Sequence, residues 1–156
     1  MIFVTVGNHY KGFDRLVKKM DEIAENTSEK VIIQIGQTYY KPKNAKFFDF
    51  TDYGTMQKLC KEARVVVSHA GVGSIITALE QQTPIIIVPR LKKYNEVIDD
   101  HQLDIAEALL DHQLVKTVYD LTQLEESLKS NFNMGDRASN KNKLSGSIKN
   151  YLIMIS

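Results

Sequence analysis

The run VVVSHAGVGS, residues 65–74, passes from a buried-strand pattern into a Gly-x-Gly turn, with a serine and a histidine at the junction. Gly71 and Gly73 remove side chains where the chain must turn sharply, and Ser74 stands where an N-cap belongs before IITALEQ. Free N–H groups and the helix dipole at such a start make a site for an anion, typically a phosphate or diphosphate, here built from His69, Ala70, Gly71, Val72, Gly73 and Ser74. The same glycines would also serve plain helix-on-strand packing, and spacing alone leaves both roles open. The loop lacks the Walker lysine and the third glycine of a dinucleotide fingerprint, which weakens ATPase and NAD alternatives. Ser68 or Ser74 beside His69 raises nucleophilic catalysis, but the pattern is not Gly-x-Ser-x-Gly. A histidine ending a buried strand is also a common structural residue. Cys60, in MQKLCKEAR, has no histidine partner in view and reads as core.

A second polar concentration follows PIIIVP. Arg90, Lys92 and Lys93 form a basic turn that leads to Glu96, Asp99, Asp100, His101 and Gln102. His101 and Gln102 suit sugar hydroxyls or the polar edges of a nucleotide, and equally suit a solvated helix face. Adjacent aspartates on a helix point about 100° apart, which disfavours a shared metal. The histidines at 9, 69, 101 and 112 show no metal-ligand spacing, so no metal site is expected.

These residues need a frame. Short β-branched runs at 1–6, 30–35, 45–50, 64–69, 84–89 and 114–118 alternate with helical periods at 12–26, 54–63, 73–82, 95–111 and 121–130. That alternation predicts an α/β fold, a mostly parallel sheet with helices on both faces. The unbroken VVV and III runs predict strands buried on both sides. Ligands of such sheets collect at the carboxyl ends of the strands, so the glycine loops after the first, second and fourth strands are the informative ones. A polar segment from 131 onward reads as a linker to a C-terminal helix, with Leu144, Ile148, Leu152 and Ile155 at helical spacing.

With 156 residues, 43% hydrophobic and 25% charged, the composition is that of one soluble domain. A net charge of +1 gives no reason to expect nucleic acid. The single cysteine fits a reduced, cytoplasmic compartment, and neither a signal peptide nor a membrane span is expected.

Taken in order, VTVG…FDRL, SHAGVGSIITALEQQTPIIIVPR and HQLDIAEAL resemble the C-terminal nucleotide-sugar-binding domain of family 28 glycosyltransferases over roughly residues 1–120. The chain is similar, more narrowly, to the stand-alone donor-binding subunit of two-subunit UDP-sugar transferases, of the bacterial PssE type or the eukaryotic dolichol-linked type. The resemblance implies a single Rossmann-like lobe, half of a GT-B fold, over 1–130, with 131–156 as linker and C-terminal helix open to partner contact. It implies that His69–Ser74 face the donor diphosphate, that Gly7 and Asn8 match the first glycine loop, and that His101 and Gln102 contact the donor sugar. Thr77 stands where many relatives have an acid for the ribose hydroxyls, a role that would fall to a neighbour such as Glu80. Arg90 joins the expected substrate contacts. His9 is a candidate base, and a partner is a better source of one.

The resemblance further implies an inverting transfer from a UDP-sugar to a lipid-linked glycan, with no cofactor and no obligatory metal. One lobe positions no acceptor. A membrane-anchored, acceptor-binding partner is therefore expected, recruiting the chain to the cytoplasmic face of the membrane. A subunit that binds nucleotide-sugar without catalysing is the alternative. A UDP-sugar epimerase, which carries both lobes in one chain, is disfavoured by length.

Overall fold

A computed structural model describes residues 1–132 and 149–155. The strands are β1 (Ile2–Thr5), β2 (Val31–Gln34), β3 (Lys46–Phe48), β4 (Val65–Ser68), β5 (Ile85–Ile87) and β6 (Val115–Thr117). They form one parallel sheet in the order β3-β2-β1-β4-β5-β6. Each lies inside its predicted run and is shorter, because the flanking residues turn into loops.

The helices are α1 (Asp14–Asn26), α2 (Tyr53–Glu62), α3 (Val72–Glu80), α4 (His101–Ala108), α5 (Leu124–Lys129) and α6 (Lys149–Ile155). Successive strand side chains point to opposite faces, which divides the core in two. Val4, Ile33, Val65 and Val67 meet Leu16 and Met20 of α1 and Leu124 and Leu128 of α5. Phe3, Val66, Ile85 and Ile87 meet Ile75 and Leu79 of α3, Ile105 of α4, Cys60 of α2 and Leu152 of α6. Both faces are thus covered, as the continuous apolar runs require. Leu152 is 1% exposed, and burying a leucine contributes about 1.5–3 kcal/mol. The Lys149–Glu80 surface pair nearby contributes at most about 1 kcal/mol, so the leucine docks α6. The linker expected from 131, and Leu144 and Ile148, lie largely outside the described residues.

One expected helix is reshaped. The period over 95–111 gives helix only from His101 to Ala108, preceded by a 3-10 turn at Lys92–Tyr94. Asn95 takes the left-handed conformation at φ 57. Asp99 takes the His101 N–H that a helix from 95 would give to Val97 O, while Glu96 accepts from Leu91 N and Asp100 from Lys92 N, folding the segment back on the preceding turn. Competition of this kind is why Asp and Asn favour helix ends over interiors. No helix among the described residues is long and apolar enough to cross a membrane.

At the amino end of the sheet, Glu29 accepts from Arg64 Nε and Nη2 at 2.9 and 2.8 Å, while Arg64 Nη1 donates to Leu128 O. Arg64 holds the Glu29 carboxyl at about 2, below its ordinary 4.5. A depressed folded-state pKa stabilises fully above the unfolded value and is lost as pH falls through the folded one. The wild type is therefore expected to exceed Glu29→Gln in melting temperature at pH 7, with the gap closing between about 4.5 and 2. Thermal melts across that range check it, and a gap independent of pH would refute it.

Candidate functional site

β1 lies between β2 and β4, so the chain leaves the sheet in opposite directions on its two sides and a crevice opens beyond the carboxyl ends. A cavity of about 380 Å³ occupies that crevice. Thr5, Gly7 and Asn8 line it from β1, Gln34 from β2, Thr51, Tyr53 and Met56 from the start of α2, and His69, Gly71, Gly73, Ser74 and Thr77 from the β4–α3 turn.

The β4–α3 turn is built around the His69 ring. A Cβ placed on Gly7 or on Gly71 would overlap that ring, so each glycine is a close-approach position. Gly7 also has φ +71, which favours glycine independently. Gln102 orients the ring. Its Oε1 accepts from Ala70 N at 3.2 Å and Arg90 N at 2.9 Å, which turns its Nε2 toward His69 Nδ1 at 3.3 Å. Nδ1 must then accept, and Nε2 carries the ring proton. Burial first, then the Arg90 charge and His9, push the His69 pKa down to about 3. The ring keeps an edge in the cleft but is hemmed in by protein, so it is a neutral hydrogen-bond donor.

Gly73 differs from Gly71. Nothing lies within 4 Å of where its Cβ would be, so packing gives no reason for a glycine there, whereas open space above a helix start does. The residue expected as N-cap, Ser74, sits inside the first turn. Gly71 is the cap, and no side chain caps α3. The contrast with α2 is direct, since Asp52 accepts from Thr55 N at 2.9 Å at that helix start. Leaving α3 bare turns its first N–H groups toward the cavity without an internal acceptor.

Several expected site residues take other roles. Arg90 is fully buried: Nη1 donates to Lys11 O and Gly12 O, Nη2 donates to Val6 O, and the guanidinium stands 4.6 Å from the Phe13 ring. It cannot touch a ligand without leaving the core. Gln102 acts through His69 and two backbone N–H groups. His101 lies at the start of α4, paired with Asp104 at 3.5 Å, and does not line the cavity. The Thr77 hydroxyl donates to Gly73 O at 2.8 Å. Glu80, the expected substitute for it, pairs with Lys149 at the far end of α3.

His9 accepts from Lys11 N at Nδ1 and stacks on Tyr10. Its neutral form therefore presents an N–H outward, which is the wrong polarity for a base. Ser68 is wholly buried and its hydroxyl has no hydrogen-bond partner among the described residues, and Cys60 is buried with its thiol pushed up to about 12. Neither is a nucleophile. Among the described residues no group of three or more His, Cys, Asp or Glu is placed to hold a metal.

Sequence reasoning missed Thr5, Gln34, Thr51, Tyr53 and Met56. The signal for the last three lies in FTDYGTM, residues 50–56, where Asp52 opens a helix after the third strand; no glycine directly follows that strand, so it lacks the mark that singles out the other loops.

A model of the glycosyltransferase family 28 C-terminal domain matches residues 1–153. The UDP-N-acetylglucosamine transferase subunit ALG13 of Candida albicans is 28% identical, over 65% of this chain and 33% of that protein. The human protein of that name is 32% identical over 69% of this chain and 10% of its own length. The chain thus spans a third or less of these relatives. Among solved structures, the solution structure of ALG13 aligns over 94% of this chain and 96% of that one, with TM-score 0.58 and 21% identity. The glycotransferase of kitacinnamycin aligns over 99% of this chain and 39% of that one, with TM-score 0.63 and 16% identity. These two likenesses give the same lobe architecture.

The two glycines of the turn should respond oppositely to substitution. Gly71→Ala drives a methyl into His69 and is expected to destabilise by about 1–3 kcal/mol. Gly73→Ala, in a helical first turn with open space, is expected to be neutral or stabilising by up to about 1 kcal/mol. Chemical denaturation checks the order, and the Gly71→Ala penalty should shrink in a His69→Ala background. A penalty unchanged in that background would refute the ring contact.

Proposed function

The chain belongs to the glycosyltransferase family 28 C-terminal domain family, and on that premise we propose that it is the donor-binding subunit of a two-subunit inverting glycosyltransferase. In this reading it binds a UDP-sugar whose sugar passes to a hydroxyl of a lipid-linked glycan. The observation that carries it is the uncapped start of α3 opening, through Gly73, onto the cavity at the β1–β4 switch point.

The acceptor oxygen bonds to the anomeric carbon as the bond from that carbon to the diphosphate oxygen breaks. The leaving UDP takes the electron pair, and the hydroxyl proton goes to a base. Negative charge thus grows on the diphosphate, where N–H groups of Val72, Gly73 and Ser74 and the His69 Nε2–H would meet it. Fixed donors in a partly enclosed site stabilise such charge without reorganising, so no metal is assigned to the step. Tyr53 and Met56 offer an apolar wall to the planar base, and Thr51 and Asn8 offer polar contacts to ribose or sugar.

The base is assigned to a membrane-anchored, acceptor-binding partner on the cytoplasmic face, because His9 and His69 both use Nδ1 as an acceptor. The same observation favours the second reading, a subunit that binds donor without catalysing. The exposed Met154 and Tyr151 of α6 mark the C-terminal segment as a candidate partner contact.

Titrating the full chain with UDP and UDP-N-acetylglucosamine by NMR is expected to shift the Gly73 and Ser74 amides. Reconstitution with the partner should give transfer that neither chain gives alone. Absence of those shifts with the partner bound would overturn the donor site, and full activity of the isolated chain would overturn the shared-site assignment. Activity of the complex that survives loss of donor contacts in this chain would favour a purely accessory role.

A further inference from the structure

Beside the donor cavity, the loops after β1, β2 and β5 enclose a second, unassigned groove of about 480 Å³. Three tyrosines stand at it, Tyr10, Tyr39 and Tyr94, 64%, 90% and 51% exposed. Exposed aromatic rings clustered in a cavity mark a binding surface more than singly scattered ones do. Two of the three are held in orientation without being buried. Tyr10 stacks on His9 with centroids 4.6 Å apart, and Tyr94 has the Arg15 guanidinium 4.6 Å from its ring and Lys93 Nζ at 4.9 Å. Lys11 Nζ donates to Asn95 Oδ1 at 2.8 Å, tying the two walls together.

The lining chooses among ligand classes. It contains no leucine, isoleucine, valine, methionine or phenylalanine, which disfavours an acyl chain or the aliphatic centre of a protein interface. It offers no net positive charge for a phosphate, since Lys11 and Arg15 are matched in number by Asp14 and Glu96 and Arg15 is paired with both oxygens of Glu96. Flat aromatic faces beside hydrogen-bonding groups remain. Asp14 Oδ1 accepts from Tyr40 N, leaving Oδ2 for a ligand hydroxyl, and Asn95 keeps its amide hydrogens. A pyranose matches this pattern: its C–H face is apolar and lies flat on a ring, and its rim is a row of hydroxyls.

We propose that this tyrosine groove is a saccharide-binding subsite that holds terminal sugars of the glycan acceptor. Its role toward the acceptor rests on the donor reading above, whereas saccharide binding itself does not. The location is suited to that role, because one loop lines both cavities, Gly7 and Asn8 facing the donor side and Tyr10 to Gly12 the groove. The chain then contributes to acceptor recognition as well as to donor binding.

The test is an NMR titration of the full chain with cellobiose, maltose and N,N′-diacetylchitobiose at millimolar concentration, run beside a UDP titration. At least one disaccharide is expected to shift the amides of Gly12, Tyr39 and Asn95, with affinity falling about five-fold in Tyr39→Ala and in Tyr94→Ala, the loss of one aromatic contact. Tyr39 is almost wholly exposed, so its removal leaves the fold intact. UDP shifts without any disaccharide shift overturn the groove while the donor reading stands. Disaccharide shifts without UDP shifts do the reverse. Shifts confined to Gly73 and Ser74, or groove signals perturbed only by a protein partner, also overturn the proposal.

Discussion

The carboxyl edge of this sheet depends on a buried charge that makes no direct ion pair among the described residues. Arg90 is fully enclosed; its two terminal nitrogens donate instead to the carbonyls of Val6, Lys11 and Gly12, its plane faces the Phe13 ring, and its Nε has no hydrogen-bond partner among the described residues. Those carbonyls belong to a loop past the end of β1, where no ladder can reach them. Unsatisfied buried carbonyls cost about 1–3 kcal/mol each, so the arginine and the loop need one another. A lysine could not substitute, because a point ammonium lacks the planar fork that reaches carbonyls in different directions. Gln102 repeats the device, taking the N–H of Arg90 itself and that of Ala70. β1, β4 and β5 are neighbours in the sheet, and two side chains lock the loops that follow all three.

This arrangement sets the electrostatics of the cleft from behind. Arg90 is lowered to about 10 by burial, opposed by Glu96, and so stays charged at neutral pH. Its charge helps keep His69 and His9 unprotonated, which leaves the cavity wall with neutral donors. A buried charge is screened less by salt than surface lysines are. An anion entering the crevice meets fixed N–H groups and a positive field, without displacing a mobile cation.

How much of this could be read beforehand depended on distance along the chain. Strand runs and the Gly71–Gly73 turn are local signals, and both were legible because burial on two faces and sharp turning each demand particular residue types. Gly71 and Gly73 proved to be unlike, one against a ring and one against space, and that difference needs a contact 3D structure alone supplies. Arg90 read as a ligand contact because a basic residue after a strand is normally exposed; the carbonyls that bury it lie 78–84 positions away. Gln102 read as a sugar contact for a similar reason, its backbone partners being 12 and 32 positions distant. The helix expected from 95 failed because Glu96, Asp99 and Asp100 bond to nearby N–H groups, a competition that periodicity ignores.

The loop from Gly7 to Gly12 carries the last consequence. It lines the carboxyl-edge cavity at one end and the tyrosine groove at the other, and both ends are pinned. A Cβ on Gly12 would stand 2.6 Å from Thr38 Cα, Thr38 Oγ1 accepts from Phe13 N at 3.0 Å, and Gly7 N donates to Gln34 Oε1 at 3.1 Å. The loop is therefore clamped to the β2 side as well as to Arg90. Group transfer is sensitive to placement, a shift of about 1 Å costing on the order of 100-fold in rate. On the proposed reading, a loop so held fixes the distance between donor and acceptor without touching the reacting atoms. On that reading Arg90 and Thr38, which would touch neither ligand, are the residues that set it.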